Sequence, residues 1–316
     1  MAKVCIMGST GVIGRNVAFS LARMDLVDEL VLFTRHSSYE KASGEVMDMY
    51  DALAVEDFDC KLYASSDYED ISESDIVLIT AGAPRQEGMN RLELAIPNAK
   101  IVRKYSKKIA RYAPDSIILI ATNPVDVMTT VALDASRFDK FKVIGLGNHL
   151  DSLRLKIILA NFFNINSREI HTRVIGEHGD HMVPLISSTA IGGIPLKYFI
   201  EPTQLDIDDI KNKLKNAGNT IISKKGATEY GPSYAISNLI STILADSHKI
   251  LTVSTYLDGE IEGVKGVSLG VPVVLSKNGI RNIIKIRMND IEYEEFHDAA
   301  VTVKKATKEV FDHFKE

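Results

Sequence analysis

Strand-like and helical segments alternate without a break through residues 1–146. Short runs suited to strands lie at Val4–Met7, Leu30–Phe33, Lys61–Ala64, Ile76–Thr80, Ile117–Ala121 and Val143–Leu146. Between them, Val12–Arg23, Tyr39–Ala54 and Leu92–Tyr112 carry helical spacing. Most of the strand runs are continuously apolar, so both faces are expected to be covered, as in a parallel sheet flanked by helices. The first half is therefore expected to be an α/β, doubly wound parallel sheet. After about residue 147 the pattern changes. A helix at Leu150–Phe163 leads into alternating residues around Glu169–Ile175. Helices at about Asp206–Lys225 and Tyr230–Asp246 follow, then strands near Leu251–Leu257, Val267–Leu275 and Ile280–Ile286, and a last helix at Asp290–Phe314. Strands grouped apart from helices predict an α+β second domain over residues 147–316.

Composition narrows the function class. The chain has 316 residues, too many for one ordinary core and suited to two packed domains. No apolar run approaches the roughly 18 residues of a membrane span, and the N-terminus enters a strand at once, which leaves no room for a signal peptide. Cys5 and Cys60 make no disulfide framework or metal cluster, and Cys5 reads as a buried small hydrophobe. A soluble, cytoplasmic protein is expected. A net charge of −5 argues against a general nucleic-acid binder.

The first strand runs into Gly8-Ser9-Thr10-Gly11-Val12-Ile13-Gly14, which opens the first helix. Glycines permit a tight turn and close approach of the backbone to a pyrophosphate, and the helix N-terminus supplies free N–H donors. This Rossmann-type placement points to a dinucleotide. About 20 residues on, an acid ordinarily holds the ribose 2′-hydroxyl. Here the second strand ends in Thr34-Arg35, followed by Ser37 and Ser38. An acid would repel a 2′-phosphate, whereas an arginine pairs with it, so NADP(H) is expected to be preferred, with NAD(H) possible. The competing reading makes Arg35 a solvated loop charge.

Four further segments stand in order downstream. A loop after the fourth strand, Ala81–Arg91, carries Gly82, Arg85 and Arg91. Asn123 follows the fifth strand in Thr122-Asn123-Pro124-Val125-Asp126. Asp151 and Arg154, spaced i and i+3, share a helix face. His178 sits in Gly176-Glu177-His178-Gly179-Asp180. Singly, each has a bland reading as a surface pair, a loop charge or a turn residue. Their joint order is harder to assign to chance.

On these motifs, and over essentially its whole length, the chain resembles the lactate/malate dehydrogenase family, and within it the archaeal-type malate enzymes. The resemblance implies an oxidoreductase that moves a hydride between NAD(P)(H) and a small dicarboxylic 2-keto/2-hydroxy acid, oxaloacetate/malate. It implies that Asp151 and His178 form the proton-transfer pair, that Arg154 binds the substrate's C1 carboxylate, and that Arg91 polarises the carbonyl. It implies that Asn123 orients substrate and cofactor, that Arg85 meets the second carboxylate, and that Thr228 lines the substrate pocket. Gly82 and Asn98 join the glycine loop on the cofactor side. A homodimer or homotetramer is implied, and no metal. Thr34-Arg35 in place of an acid departs from the NAD-specific pattern.

Other functions remain to be weighed. A short-chain reductase would need Tyr-x-x-x-Lys, and none of the eleven tyrosines has lysine four residues later. A non-catalytic dinucleotide sensor would need no histidine–aspartate pair. A lactate or broader 2-hydroxy acid dehydrogenase keeps the reaction and changes the substrate. Arg85 argues against pyruvate, since an unpaired buried guanidinium is costly.

Overall fold

A computed structural model describes residues 2–57, 59–83, 91–200 and 205–315, with the side chains of residues 91–93 outside the description. The first half runs β1 (Lys3–Met7), α1 (Val12–Ala22), β2 (Glu29–Phe33), α2 (Tyr39–Leu53), β3 (Lys61–Ser65), β4 (Ile76–Ile79), α3 (Arg91–Tyr112), β5 (Ile117–Ile120), α4 (Val125–Ser136) and β6 (Val143–Gly145). The second half runs α5 (His149–Phe163), β7 (Ile170–His171), β8 (Val174–Gly176), β9 (Met182–Pro184), β10 (Ala190–Ile191), β11 (Ile194–Pro195), α6 (Leu196–Phe199), α7 (Ile207–Lys225), α8 (Tyr230–Leu244), β12 (Ile250–Asp258), β13 (Lys265–Ser276), β14 (Gly279–Ile283) and α9 (Asp290–His313).

The strand order β3-β2-β1-β4-β5-β6 is parallel throughout. Every residue of β4 (IVLI) and β5 (IILI) is buried, as continuous apolar strands require. Each such side chain contributes about 1.5–3 kcal/mol when taken from water. The order reverses between β1 and β4, which opens a crevice at the carboxyl ends of the strands. The glycine loop, Gly82 and Asn123 all stand at that end.

Two features depart from the sequence expectations. The α+β half does not keep its larger strands to itself. β12 continues the first sheet antiparallel to β6, with Ser254 opposite Gly145, and β13, β8 and β9 extend it. Only β7, β10 and β11 form a separate small sheet among the described residues. Helix α4 also has no counterpart in the sequence reading. It is buried from Val125 through Ala132, so it lacks the one-sided apolar stripe that marks a surface helix, and four of those residues are β-branched beyond Val125 itself.

His149, at the start of α5, ties this packing to pH. It is 4% exposed, and its Nε2 lies 3.1 Å from Asn238 Oδ1. Burial lowers its pKa to about 4; the Asn238 contact opposes that fall and the charge of Arg173 adds to it. The unfolded chain therefore binds this proton below about pH 6.5, while the fold resists it until about pH 4. Stability from this residue is full above about pH 6.5 and is lost as the pH falls through that window, by roughly 2–4 kcal/mol. Urea unfolding at about pH 7 and 4.5 is expected to show a smaller pH-dependent loss in His149→Gln than in the wild type. An equal loss in both would assign the effect to other groups.

Candidate active site

The turn after β1 is built for close backbone approach. Gly8 has φ +101°, and a Cβ there would stand 2.6 Å from the Ala81 nitrogen. A Cβ on Gly14 would stand 2.4 Å from the Gly8 oxygen. Gly11 caps α1 with extended backbone (φ −77°, ψ 161°) and no side-chain hydrogen bond, so the first-turn amides remain available to an anion. Ser9 serves the turn itself: it is fully buried, and its hydroxyl donates to the Phe33 carbonyl at 3.2 Å. These features fit a dinucleotide pyrophosphate.

A cleft of about 690 Å³ opens beside this turn, lined among others by Gly8, Thr10, Gly11, Thr34, Arg35 and Gly82. Phe33, Tyr68 and Tyr105 give it an aromatic wall, with Phe33 and Tyr68 centroids 5.0 Å apart. Ser38 lines it as well, and Ser37 does not; His36 and Lys104, which were not singled out from the sequence, also line it. Val12 and Gly14 line neither this cleft nor the next, which Ile13 lines. Asn98 lines neither cleft. Its Oδ1 accepts from the Ala83 amide at 2.6 Å, and its Nδ2 donates to the Asn123 carbonyl at 2.7 Å. It thereby ties the loop after β4 to the loop after β5.

A second cleft of about 370 Å³ gathers Ile13, Asn123, Asp151, Arg154, His178 and Thr228. Residues separated by more than 200 positions in the chain thus share one wall. Helix α5 carries Asp151, which is wholly buried, and Arg154, whose Nη1 lies 3.3 Å from Asp151 Oδ1. Full burial of the carboxylate removes the surface-pair reading. His178 stands in the turn between β8 and β9, with Nδ1 2.6 Å from Asp151 Oδ2. Ser152 fixes α5 against the start of β8: its hydroxyl donates to the Asn148 carbonyl at 2.8 Å and accepts from the Val174 amide at 3.0 Å.

Burial works against the charge on both partners, and each partner's charge restores the other. Desolvation disfavours the imidazolium of His178, but the Asp151 carboxylate outweighs it and raises the pKa. Burial likewise pushes Asp151 up, yet His178, Arg154 and Asn148 hold it below the usual carboxylate value. The arrangement holds a proton on His178 while keeping Asp151 ionised.

Two positions not chosen from the sequence brace the pair. Asn148 is fully buried, and its Nδ2 lies 3.2 Å from both Asp151 Oδ2 and the Glu177 carbonyl. A Cβ on Gly270 of β13 would fall 1.7 Å from Asn148 Oδ1, so this side chain needs that glycine. Asp126 is 3% exposed and accepts from the His178 amide at 2.8 Å. A charged residue inside the apolar run Val125–Val131 was the available signal for it. Arg85 lies outside the described residues, and Arg91 is described only as the first residue of α3. No helix among the described residues is long and apolar enough to cross a membrane.

Comparison with known proteins gives the same picture over the full length. Residues 2–145 match the lactate/malate dehydrogenase NAD binding domain, and residues 148–314 match the lactate/malate dehydrogenase alpha/beta C-terminal domain. The chain is 66% identical to a malate dehydrogenase of Methanosphaera stadtmanae, covering 98% of each. It is 46% identical to an L-2-hydroxycarboxylate dehydrogenase (NAD(P)(+)) of Methanocaldococcus jannaschii, covering 98% of this chain and 99% of that one. Among solved structures, a lactate dehydrogenase from a Medee basin deep-sea metagenome superposes with TM-score 0.92 at 32% identity, over 98% of each chain. With its sheet order, its two clefts and these relatives, the chain belongs to the lactate/malate dehydrogenase family.

Proposed function

We propose that this chain is a malate dehydrogenase that interconverts oxaloacetate and (S)-malate with a nicotinamide dinucleotide, NADP(H) being favoured. The observation that carries the reading is the 2.6 Å contact between His178 and a fully buried Asp151, one helical turn from Arg154. The malate dehydrogenases among its relatives support the substrate. We assign residues 1–146 to cofactor binding and residues 147–316 to substrate binding.

A bound nicotinamide dinucleotide supplies the hydride. The chain supplies position, charge and a proton. The His178 Nδ1–H donates to Asp151, which leaves Nε2 to give or take the substrate proton. Arg154 offers a planar fork to the C1 carboxylate. Arg91 stabilises negative charge on the carbonyl oxygen, and Asn123 orients the bound molecules. Arg85 meets the second carboxylate of the substrate. Oxaloacetate reduction uses the imidazolium, so its kcat/KM falls as pH rises through the raised His178 pKa. Malate oxidation uses the neutral ring and rises over the same interval.

The preference for NADP(H) rests on Thr34 and Arg35 at the rim of the larger cleft, with Lys104 on the same lining. Thr34→Asp is expected to reverse the preference by repelling a 2′-phosphate. Charge-assisted phosphate contacts contribute on the order of 1.5–3 kcal/mol, or roughly tenfold or more in discrimination. Steady-state kcat/KM with NADPH and NADH checks this, and a wild-type enzyme tenfold better with NADH would overturn it. A second reading, a broader 2-hydroxy acid dehydrogenase, is favoured by the Methanocaldococcus relative's name. Comparing oxaloacetate with pyruvate, each with both cofactors, separates the two.

A further inference from the structure

One buried carboxylate beside the site takes no part in the reaction described so far. Asp126, in the first turn of α4, is 3% exposed. Its Oδ1 accepts from the Ser254 hydroxyl of β12 at 2.6 Å, and its Oδ2 accepts from the His178 backbone amide at 2.8 Å. Ser254 is delivered to that place by its pairing opposite Gly145 of β6. A Cβ on Gly145 would stand 2.9 Å from the Ser254 Cβ, so only glycine fits there. Three remote stretches of chain therefore converge on a single carboxylate. An ion this deeply buried is costly unless a nearby charge and good hydrogen bonds compensate.

We propose that Asp126 is a positioning residue which clamps the backbone of His178 and, with Asp151, sets the proton affinity of the imidazole. The proposal rests on His178 as the proton-transfer residue. The charged groups that act most on His178 are Asp151, Asp126 and Arg154, and Asp180 and Lys215 line the same cleft. Those that face Asp126 are His178 and Glu177. Asp151 and Asp126 both favour the imidazolium, and the Arg154 guanidinium opposes it. Without Asp126 one of the two charges that offset the burial of the imidazolium is lost. Burial raises the Asp126 pKa to about 6, while its hydrogen bonds from Ser254 and His178 and the charge of His178 pull it back down. Asp126 is thus ionised above about pH 6, in the range where His178 must hold its proton.

Asp126→Asn tests this, because an amide keeps the shape and can still accept from the His178 N–H while the charge is lost. The pH profile of oxaloacetate reduction is expected to move to lower pH. At about pH 8.5, kcat/KM should fall roughly three- to tenfold below wild type, with a smaller loss near about pH 6. The profile of malate oxidation should move to lower pH with it, gaining relative activity at the acid end. The ring titration of His178, followed by NMR, should shift down in parallel. A merely structural role predicts equal losses in both directions at every pH and an unmoved ring titration, which would overturn the proposal. If Asp126→Asn does not fold, Ser254→Ala decides. Loss of that hydroxyl weakens the Asp126 anion and its hold on the His178 turn, so the His178 titration should shift down. An unmoved titration there overturns the proposal as well. His178→Asn is the separate control: activity surviving in that variant would refute the proton-transfer assignment, whereas the ring titration reads the effect of Asp126 without turnover.

Discussion

His178→Asn is expected to lower kcat for oxaloacetate reduction by on the order of 10³-fold, within the 10²–10⁴ that positioned acid–base groups contribute. Asparagine keeps the bulk and a donor toward Asp151 but cannot deliver a proton. Dinucleotide binding should remain near wild type, because the glycine turn and Arg35 line a different cleft from His178. Asp151→Asn should also slow turnover. It removes the charge that raises the His178 pKa and leaves an amide able to favour the wrong ring tautomer. Stopped-flow measurement of the hydride step, with cofactor titration beside it, separates chemistry from binding. Near wild-type turnover in His178→Asn would end the assignment of this pair.

Arg85→Gln is expected to change the oxaloacetate/pyruvate ratio of kcat/KM by on the order of 10²–10³. Oxaloacetate has a second carboxylate where pyruvate has a hydrogen. If Arg85 meets that carboxylate, its guanidinium is paired with oxaloacetate and left without a partner by pyruvate. Sites built for a charged partner reject an analogue lacking it by about 10⁴ or more in favourable cases, and the change expected here is set below that figure. Arg85→Gln should lose most oxaloacetate activity and gain pyruvate reduction. If Arg85 points into solvent, neither rate changes. An unchanged ratio would therefore leave malate specificity without its proposed cause.

The sequence carried different parts of this site with different clarity. The parallel sheet could be read because β4 and β5 are apolar along their whole length, a pattern that partly exposed strands do not show. His178, Asp151 and Arg154 could be read because their residue types and order are rare in combination, and they share one cleft. Asn98 was legible as a nearby polar residue but not as a tie between two loops, since that role depends on where Ala83 and Asn123 come to rest. Asn148 and Asp126 escaped notice for the same reason. Their partners, Glu177, His178 and Ser254, lie from 29 to 128 positions away. Helix α4 escaped because burial on all sides erases the periodicity on which sequence reading depends. The extension of the first sheet by β12 escaped because one long-range register pair, Ser254 opposite Gly145, leaves no local mark in either segment.

That single antiparallel step also governs how the enzyme can move. Many two-domain enzymes trap substrate by swinging their halves about a flexible hinge. Here the halves are joined through a shared β-layer, and the Asp126 carboxylate is hydrogen-bonded to both β12 and the His178 turn across that seam. A swing of one half against the other would shear these bonds and leave a buried anion unsolvated. Relative motion of the halves is thus opposed beneath the second cleft, and the His178–Asp151 pair stays in fixed register with the sheet below it.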